Sequence, residues 1–247
     1  MIRHMLFCFA MLAVVFPAHA EEATPLGQLD LDLSRLKTWG SKVYTFEASR
    51  PGSNEKTILG EMTLTTKVTD EAVALTDQFE IDYRGQKLTL DLTHQCEKDN
   101  FLSPVRIESK GEGDDELGTF VATVEDGQAT IRRNGKEREM ELPEGTVTFS
   151  AFFRLVTLLP RERGSRVSFP HWLESEELNL KNDFMVECTG QDGLPLGGQN
   201  VECTLFRLTG GGIRPAYYWV DGGGVLRQVL IDDRKLLRLK DNTVGQE

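Results

Sequence analysis

From Lys42 to Lys240 the chain alternates apolar and polar residues in at least eight short β-favouring runs, nearly all separated by tight polar turns. Leu88, Leu90 and Leu92, for example, interleave with Lys87, Thr89, Asp91 and Thr93, the period of two that gives a strand one wet face and one buried face. Asp126-Gly127, Asn134-Gly135 and Arg84-Gly85 fall between such runs, and dipeptides of this kind supply the φ > 0 positions of a two-residue hairpin. Successive strands are therefore expected to run antiparallel. The pattern predicts strands over residues 42–50, 57–68, 72–82, 86–97, 104–110, 117–125, 128–132 and 136–142, then 167–169, 184–189, 200–208, 216–220, 225–231 and 236–240.

Two stretches carry a helical period instead. Leu29, Leu33 and Leu36 fall at i, i+4 and i+7 and predict an N-terminal helix ending near Trp39-Gly40, although Leu29, Leu31 and Leu33 also fit a strand. Phe149, Phe152, Phe153 and Val156 recur at i, i+3, i+4 and i+7, with Thr148 or Ser150 placed to cap the helix and Pro160 to stop it. Three large rings on one face are more apolar surface than a helix can show to water, so this face must meet the sheet or line a site for an apolar ligand. There is no βαβ alternation, and a sheet of roughly a dozen strands curls or closes rather than staying flat. The predicted fold class is mainly β. It is a large antiparallel meander curled into an open half barrel, with an N-terminal helix and one apolar helix packed on or in the concave face.

This order of elements, with an apolar helix ending in Leu-Leu-Pro and late hairpins passing through Trp-Val-Asp-Gly, resembles the open-barrel fold of bacterial lipoprotein carriers. More specifically, it resembles uncharacterised secreted bacterial domain families that share that fold. Residues 152–160, 218–221 and 225–233 carry the resemblance. It implies a concave β-surface of the kind that holds apolar ligands. It implies no functional residues, because the families it points to mostly lack an assigned activity.

The first twenty residues change the compartment. Arg3 and His4, the apolar run from Met5 to Phe16, and Ala18-His19-Ala20 ahead of Glu21 have the build of a cleavable secretory signal. Residues 1–20 are thus expected to be removed, leaving residues 21–247 as a single exported domain, periplasmic or extracellular. Spanning a bilayer takes about 20 apolar residues, so no integral membrane segment is expected after cleavage. Met5-Leu6-Phe7 lacks the small residues of a lipid-attachment site ahead of Cys8. Formal net charge is −11, and Arg3 is the only Lys, Arg, Asp or Glu in the leader, so cleavage leaves the domain still more acidic. Such a surface repels phosphate backbones and anionic headgroups, which argues against nucleic acid and against electrostatic membrane docking.

Three cysteines remain, Cys96, Cys188 and Cys203, in a compartment where thiols are commonly oxidised. Cys188 and Cys203 flank a turn-rich stretch, residues 190–200, on two runs expected to pair as a hairpin. The predicted disulfide is therefore Cys188 to Cys203, with Cys96 left over, and closing the loop would stabilise by about 3 kcal/mol. Pairings through Cys96, or three buried thiols, stay open as alternatives.

No motif fixes a chemistry. Ser34 and Lys37 have the Ser-x-x-Lys spacing of acylating serine enzymes, but the partner Ser-Asp-Asn and Lys-Thr-Gly elements are absent and a surface helix is the simpler reading. Gly164-Ser165-Arg166 is a turn into a strand. His94 and His171 have no second His or Cys at zinc spacing, and His94 with Cys96 lacks a third ligand or an orienting group. The acidic stretch over residues 112–116 lacks the spaced ligands of a calcium loop. Tyr217, Tyr218 and Trp219 fit core packing better than a sugar platform. No catalytic residue, metal site or cofactor is assigned. The expected function is a non-enzymatic exported protein whose concave surface binds an apolar, lipid-like molecule or another envelope protein. The ligand would be lined by Phe149, Phe152, Phe153 and Val156. The alternatives are an envelope hydrolase with an unrecognised site, or a structural or assembly subunit.

Overall fold

A computed structural model describes residues 22–49, 56–83, 85–113, 119–173, 179–231 and 234–240. The signal-like leader, Cys8 and most of the acidic stretch over 112–116 lie outside these residues. The chain opens with β1 (Thr24–Pro25) and two 3-10 turns, Leu26–Gln28 and Leu33–Thr38. A first meander follows: β2 (Gly40–Ser49), β3 (Lys56–Val68), β4 (Ala72–Tyr83), β5 (Gln86–Glu97), β6 (Pro104–Glu112), β7 (Phe120–Glu125), β8 (Gln128–Arg133) and β9 (Lys136–Glu141). After β10 (Val147–Thr148) and α1 (Phe149–Leu155) comes a second: β11 (Arg166–Leu173), β12 (Asn179–Leu196), β13 (Gln199–Thr209), β14 (Ala216–Asp221), β15 (Leu226–Ile231) and β16 (Lys235–Leu239).

All these strands belong to one 16-stranded sheet, mostly antiparallel, in which β16 pairs with β2 and so joins the two meanders side by side. The fold is mainly β and the sheet does not close, as the strand pattern predicts. The hairpin chemistry is visible in the turns: Asp126 and Gly127 have φ of 49° and 76°, Asn134 and Gly135 of 49° and 73°, which is the twist-matched reversal that joins antiparallel neighbours tightly.

Both ends of the sheet are protected. β9 reads Lys-Glu-Arg-Glu-Met-Glu, and its charges discourage a further strand from adding. The outer edge of β11 is occupied by β1 and β10, each in a short parallel pairing. Side chains rather than backbone bonds draw the curled sheet together. Trp172 of β11 is wholly buried in a cluster with Ile107, Phe120, Ala122, Ala129, Ile131 and Leu142 from the first meander.

Three expectations are corrected. The N-terminal helix is instead a pair of 3-10 turns, of which the second places Leu36 in the core. Asp32 accepts from the Ser34 backbone N–H (3.1 Å) and hydroxyl (2.5 Å), and such local side-chain bonds compete with a continuous helix. The stretch 190–200 is no loop. The strands run through it and reverse at Gly197-Gly198, with Pro195 opposite Asn200.

The Cys188–Cys203 disulfide is absent, and Cys96, Cys188 and Cys203 are all thiols. The reversal at Gly197-Gly198 sets Cys203 opposite Asp192, and a register shift between Cys188 and Gly190 sets Cys188 opposite Phe206. The two cysteines are therefore offset by three residues, about 10 Å along the strand, beyond the Cα separation a disulfide tolerates. They also belong to different clusters: Cys188 packs in the main core, Cys203 with Leu194 and Leu196.

Candidate functional site

The inward face of β2 to β6 is graded from one end to the other. At the narrow end, Tyr44, Leu64, Leu75 and Cys96 are buried, together with Leu31 and Leu36 of the N-terminal segment. Toward the other end the same rows become half-buried: Phe46 on β2, Phe79 and Ile81 on β4, Leu88 and Leu90 on β5. The register places Phe79 opposite Leu90 and Ile81 opposite Leu88, so these side chains share one face. Gly60 stands opposite both Phe46 and Ile81, and Gly111 opposite Leu90, which keeps the inner face shallow here. The result is an apolar mouth at the end of the open barrel that α1 does not fill, called the wide end for that reason.

Helix α1 fills the narrow end. Thr148 caps it by accepting from the Ala151 N–H at 3.2 Å. Phe152 and Phe153 are each 1 % exposed and Val156 is wholly buried, while Phe149 is half-buried. Phe152 packs against Phe169 (5.3 Å between ring centroids) and Tyr218 (5.1 Å), and Phe149 meets Phe153 edge-on at 4.8 Å. The three phenylalanine rings pack on one another and on the sheet.

The helix has no wet face, because its one charged residue is buried as well. Arg154 donates to Asp77 Oδ1 (2.6 Å), Thr66 Oγ1 (3.1 Å), the Thr65 carbonyl (2.9 Å) and the Ser150 carbonyl (3.0 Å). Both members of the ion pair are shielded from water, and Asp77 Oδ2 has no hydrogen-bond partner among the described residues. The Arg154 guanidinium also sits 5.8 Å from the Trp39 ring centre. Sequence reasoning passed over this pair, although each half left a trace. Asp77 occupies an inward position between Leu75 and Phe79, and Arg154 lies in a helix apolar on both sides of it.

The two histidines are core residues. His94 is fully buried with Nδ1 3.5 Å from Thr148 Oγ1, and desolvation, reinforced by the Arg154 charge, pushes its pKa down to about 3. His171 has Nδ1 2.9 Å from the Val147 carbonyl, and burial lowers its pKa to about 4. Both rings are thus neutral at ordinary pH. Among the described residues there is no cluster of three or more His, Cys, Asp or Glu able to hold a metal. Ser34 is bonded to Asp32, and the Ser165 hydroxyl donates to the Glu162 carbonyl at 2.7 Å. Burial, and then the Asp221 charge, raises the Cys203 thiol to about 11, and burial raises Cys188. Tyr218 points into the core, whereas Tyr217 and Trp219 lie outside it with ring centroids 6.4 Å apart, Trp219 Nε1 donating to Asp192 Oδ2 at 2.7 Å.

On their outer face the long strands β3 to β6 bound an open concavity of about 840 Å³ with charged walls that include Glu61, Glu80, Asp82, Lys87, Asp91 and Lys110. No helix among the described residues is long and apolar enough to cross a membrane.

No protein-family model and no curated protein matches the chain. Among solved structures it is similar to a beta-barrel-like protein of domain of unknown function DUF1849 from Brucella abortus. The two are 14% identical with a TM-score of 0.51, over 81% of this chain and 97% of that one. At this identity the likeness shows the fold alone: a beta-barrel-like architecture shared with an uncharacterised bacterial protein.

Proposed function

We propose that this is an exported, non-enzymatic binding protein that takes an apolar, lipid-like molecule into the wide end of its open barrel. The observation that carries the reading is the burial gradient along the inner face. The narrow end is packed to completion around α1, while Phe46, Phe79, Ile81, Leu88 and Leu90 form a contiguous apolar surface left half-buried. Contiguous apolar surface of this kind marks a ligand or partner site, because leaving it against water costs about 25 cal/mol per Å². Phe152, Phe153 and Val156 form the floor beneath it, with Phe149 at the margin. Export rests on the leader of residues 1–20.

The test is to express the full chain in a bacterial envelope, purify what is exported and identify co-purifying small molecules by mass spectrometry. A lipid-class molecule in near-stoichiometric amount, on a protein beginning at Glu21, is the expected result. Material that keeps Met1, or exported protein that carries and takes up no apolar molecule, refutes the reading. An extended peptide bound at the mouth instead would point to the envelope-protein partner.

A further inference from the structure

The narrow end carries a second feature that the packing of α1 does not use. The turn between β14 and β15 brings four cationic side chains around one carboxylate. Asp221 is already committed: Oδ2 accepts from Arg227 Nε at 2.6 Å, Oδ1 accepts from the Val225 N–H at 2.8 Å, and its carbonyl accepts from Arg161 at 2.8 Å. Arg35, from the second 3-10 turn, and Arg161, from the segment after α1, close on the same spot. Their terminal NH2 groups both lie within 4 Å of the point where a Cβ on Gly224 would stand. Gly224 has φ of 82° and no side chain, so the turn leaves this point open to the two guanidinium groups.

Arg161 NH2 is shielded from solvent and has no hydrogen-bond partner among the described residues. Arg35 is exposed and makes no ion pair with any described carboxylate. Lys42 stands beside the group, its ammonium 5.5 Å from the Trp39 ring centre. Burial, and then the Arg227 charge, lowers the Lys42 pKa, and burial, and then Arg35, lowers that of Arg161, so the cations sense one another. In a chain of net charge −11, four cations gathered around one carboxylate leave an excess of positive charge at this point, and like charges repel unless a further anion joins them.

We infer that Arg35, Arg161 and Lys42, set around the Arg227–Asp221 pair, form a binding site for a multi-oxygen anion of the phosphate class. Two guanidinium forks and an ammonium offer more donors than a two-oxygen carboxylate can accept, whereas a tetrahedral oxyanion accepts from several directions at once. The site lies at the end of the barrel opposite the apolar mouth, so it stands or falls independently of the ligand proposed there. The anion is either free phosphate or a phosphate headgroup, and the two sources are separable.

The experiment titrates the exported protein with inorganic phosphate at constant ionic strength, following thermal stability and calorimetric binding, and repeats the titration with phosphatidic acid vesicles against neutral phosphatidylcholine vesicles. Arg35→Gln, Arg161→Gln and the outer-face control Lys67→Gln are measured alongside. Saturable phosphate binding, weakened at least tenfold by Arg35→Gln or Arg161→Gln and unchanged by Lys67→Gln, is the expected result. Binding only to phosphatidic acid vesicles, with the same variant pattern, also supports the site and identifies a headgroup as its source. No saturable binding to either, or equal weakening by Lys67→Gln, overturns the inference. Arg35 is exposed, so Arg35→Gln decides the matter even if Arg161→Gln fails to fold.

Discussion

The two ends of the barrel are built from the same strands and do opposite things. At the narrow end the inward positions of β3 to β5 are buried, save Val68 at the strand end, which is half-buried. α1 supplies rings to the apolar rows, and Arg154 answers the one acid, Asp77, that stands among them. At the wide end those strands continue with Phe79, Ile81, Leu88 and Leu90, equally apolar and only half-buried. The difference separates stability from function. Side chains at the narrow end decide whether the sheet holds its curl, whereas under the proposed function side chains at the wide end decide what is bound and changing them costs the fold less.

The sharpest way to break that contrast is the buried ion pair. Arg154→Met leaves Asp77 as an uncompensated buried acid and is expected to cost about 3 to 5 kcal/mol, while Arg154→Met combined with Asp77→Leu recovers most of the loss. Urea melts of the three proteins check this, and a double variant as unstable as the single one contradicts it. Phe152→Ala belongs to the same end and is expected to cost about 3 to 5 kcal/mol, with Phe79→Ala at the mouth costing clearly less.

A pH series probes the narrow end without mutation. Burial holds His94 and His171 at about 3 and about 4, below the value near 6.5 that they take when unfolded. Below pH 6.5 the unfolded chain therefore binds protons that the folded chain refuses. Stability falls as pH drops from about 6.5 to about 4, by about 1.4 kcal/mol per pH unit for each histidine, and is fully present above that window. Replacing both histidines with Gln should flatten this part of the profile, and an unchanged slope would show that other groups govern it.

The first meander was legible because its alternation is strict: Leu64, Leu75 and Leu92 point in, while Thr65, Gln78 and Asp91 point out. β13 to β15 are harder to read. Leu205, Trp219 and Leu230 sit on the outer face while Phe206, Tyr218 and Val229 fill the inner one, and a register shift between Trp219 and Val220 breaks the phase. The disulfide expectation failed on the place of the reversal: the chain turns at Gly197-Gly198, two residues later than the turn that would set Cys188 against Cys203. The pairing of β16 with β2 and the meeting of Arg154 with Asp77 are long-range events that no local spacing encodes. The apolar mouth was only half foreseen. The helix rings of Phe152 and Phe153 are buried, and the half-buried positions are strand residues that read in the sequence like any core row.

The most direct measurement is saturable uptake of an environment-sensitive apolar probe by the purified protein and by Phe79→Ser. The wild type is expected to bind the probe with a blue-shifted, saturable signal. Phe79→Ser should bind it at least tenfold more weakly while melting close to the wild type. A wild type that takes up no probe, or a Phe79→Ser variant that takes it up unchanged, would contradict an apolar site at the wide end and leave the open barrel as a structural scaffold.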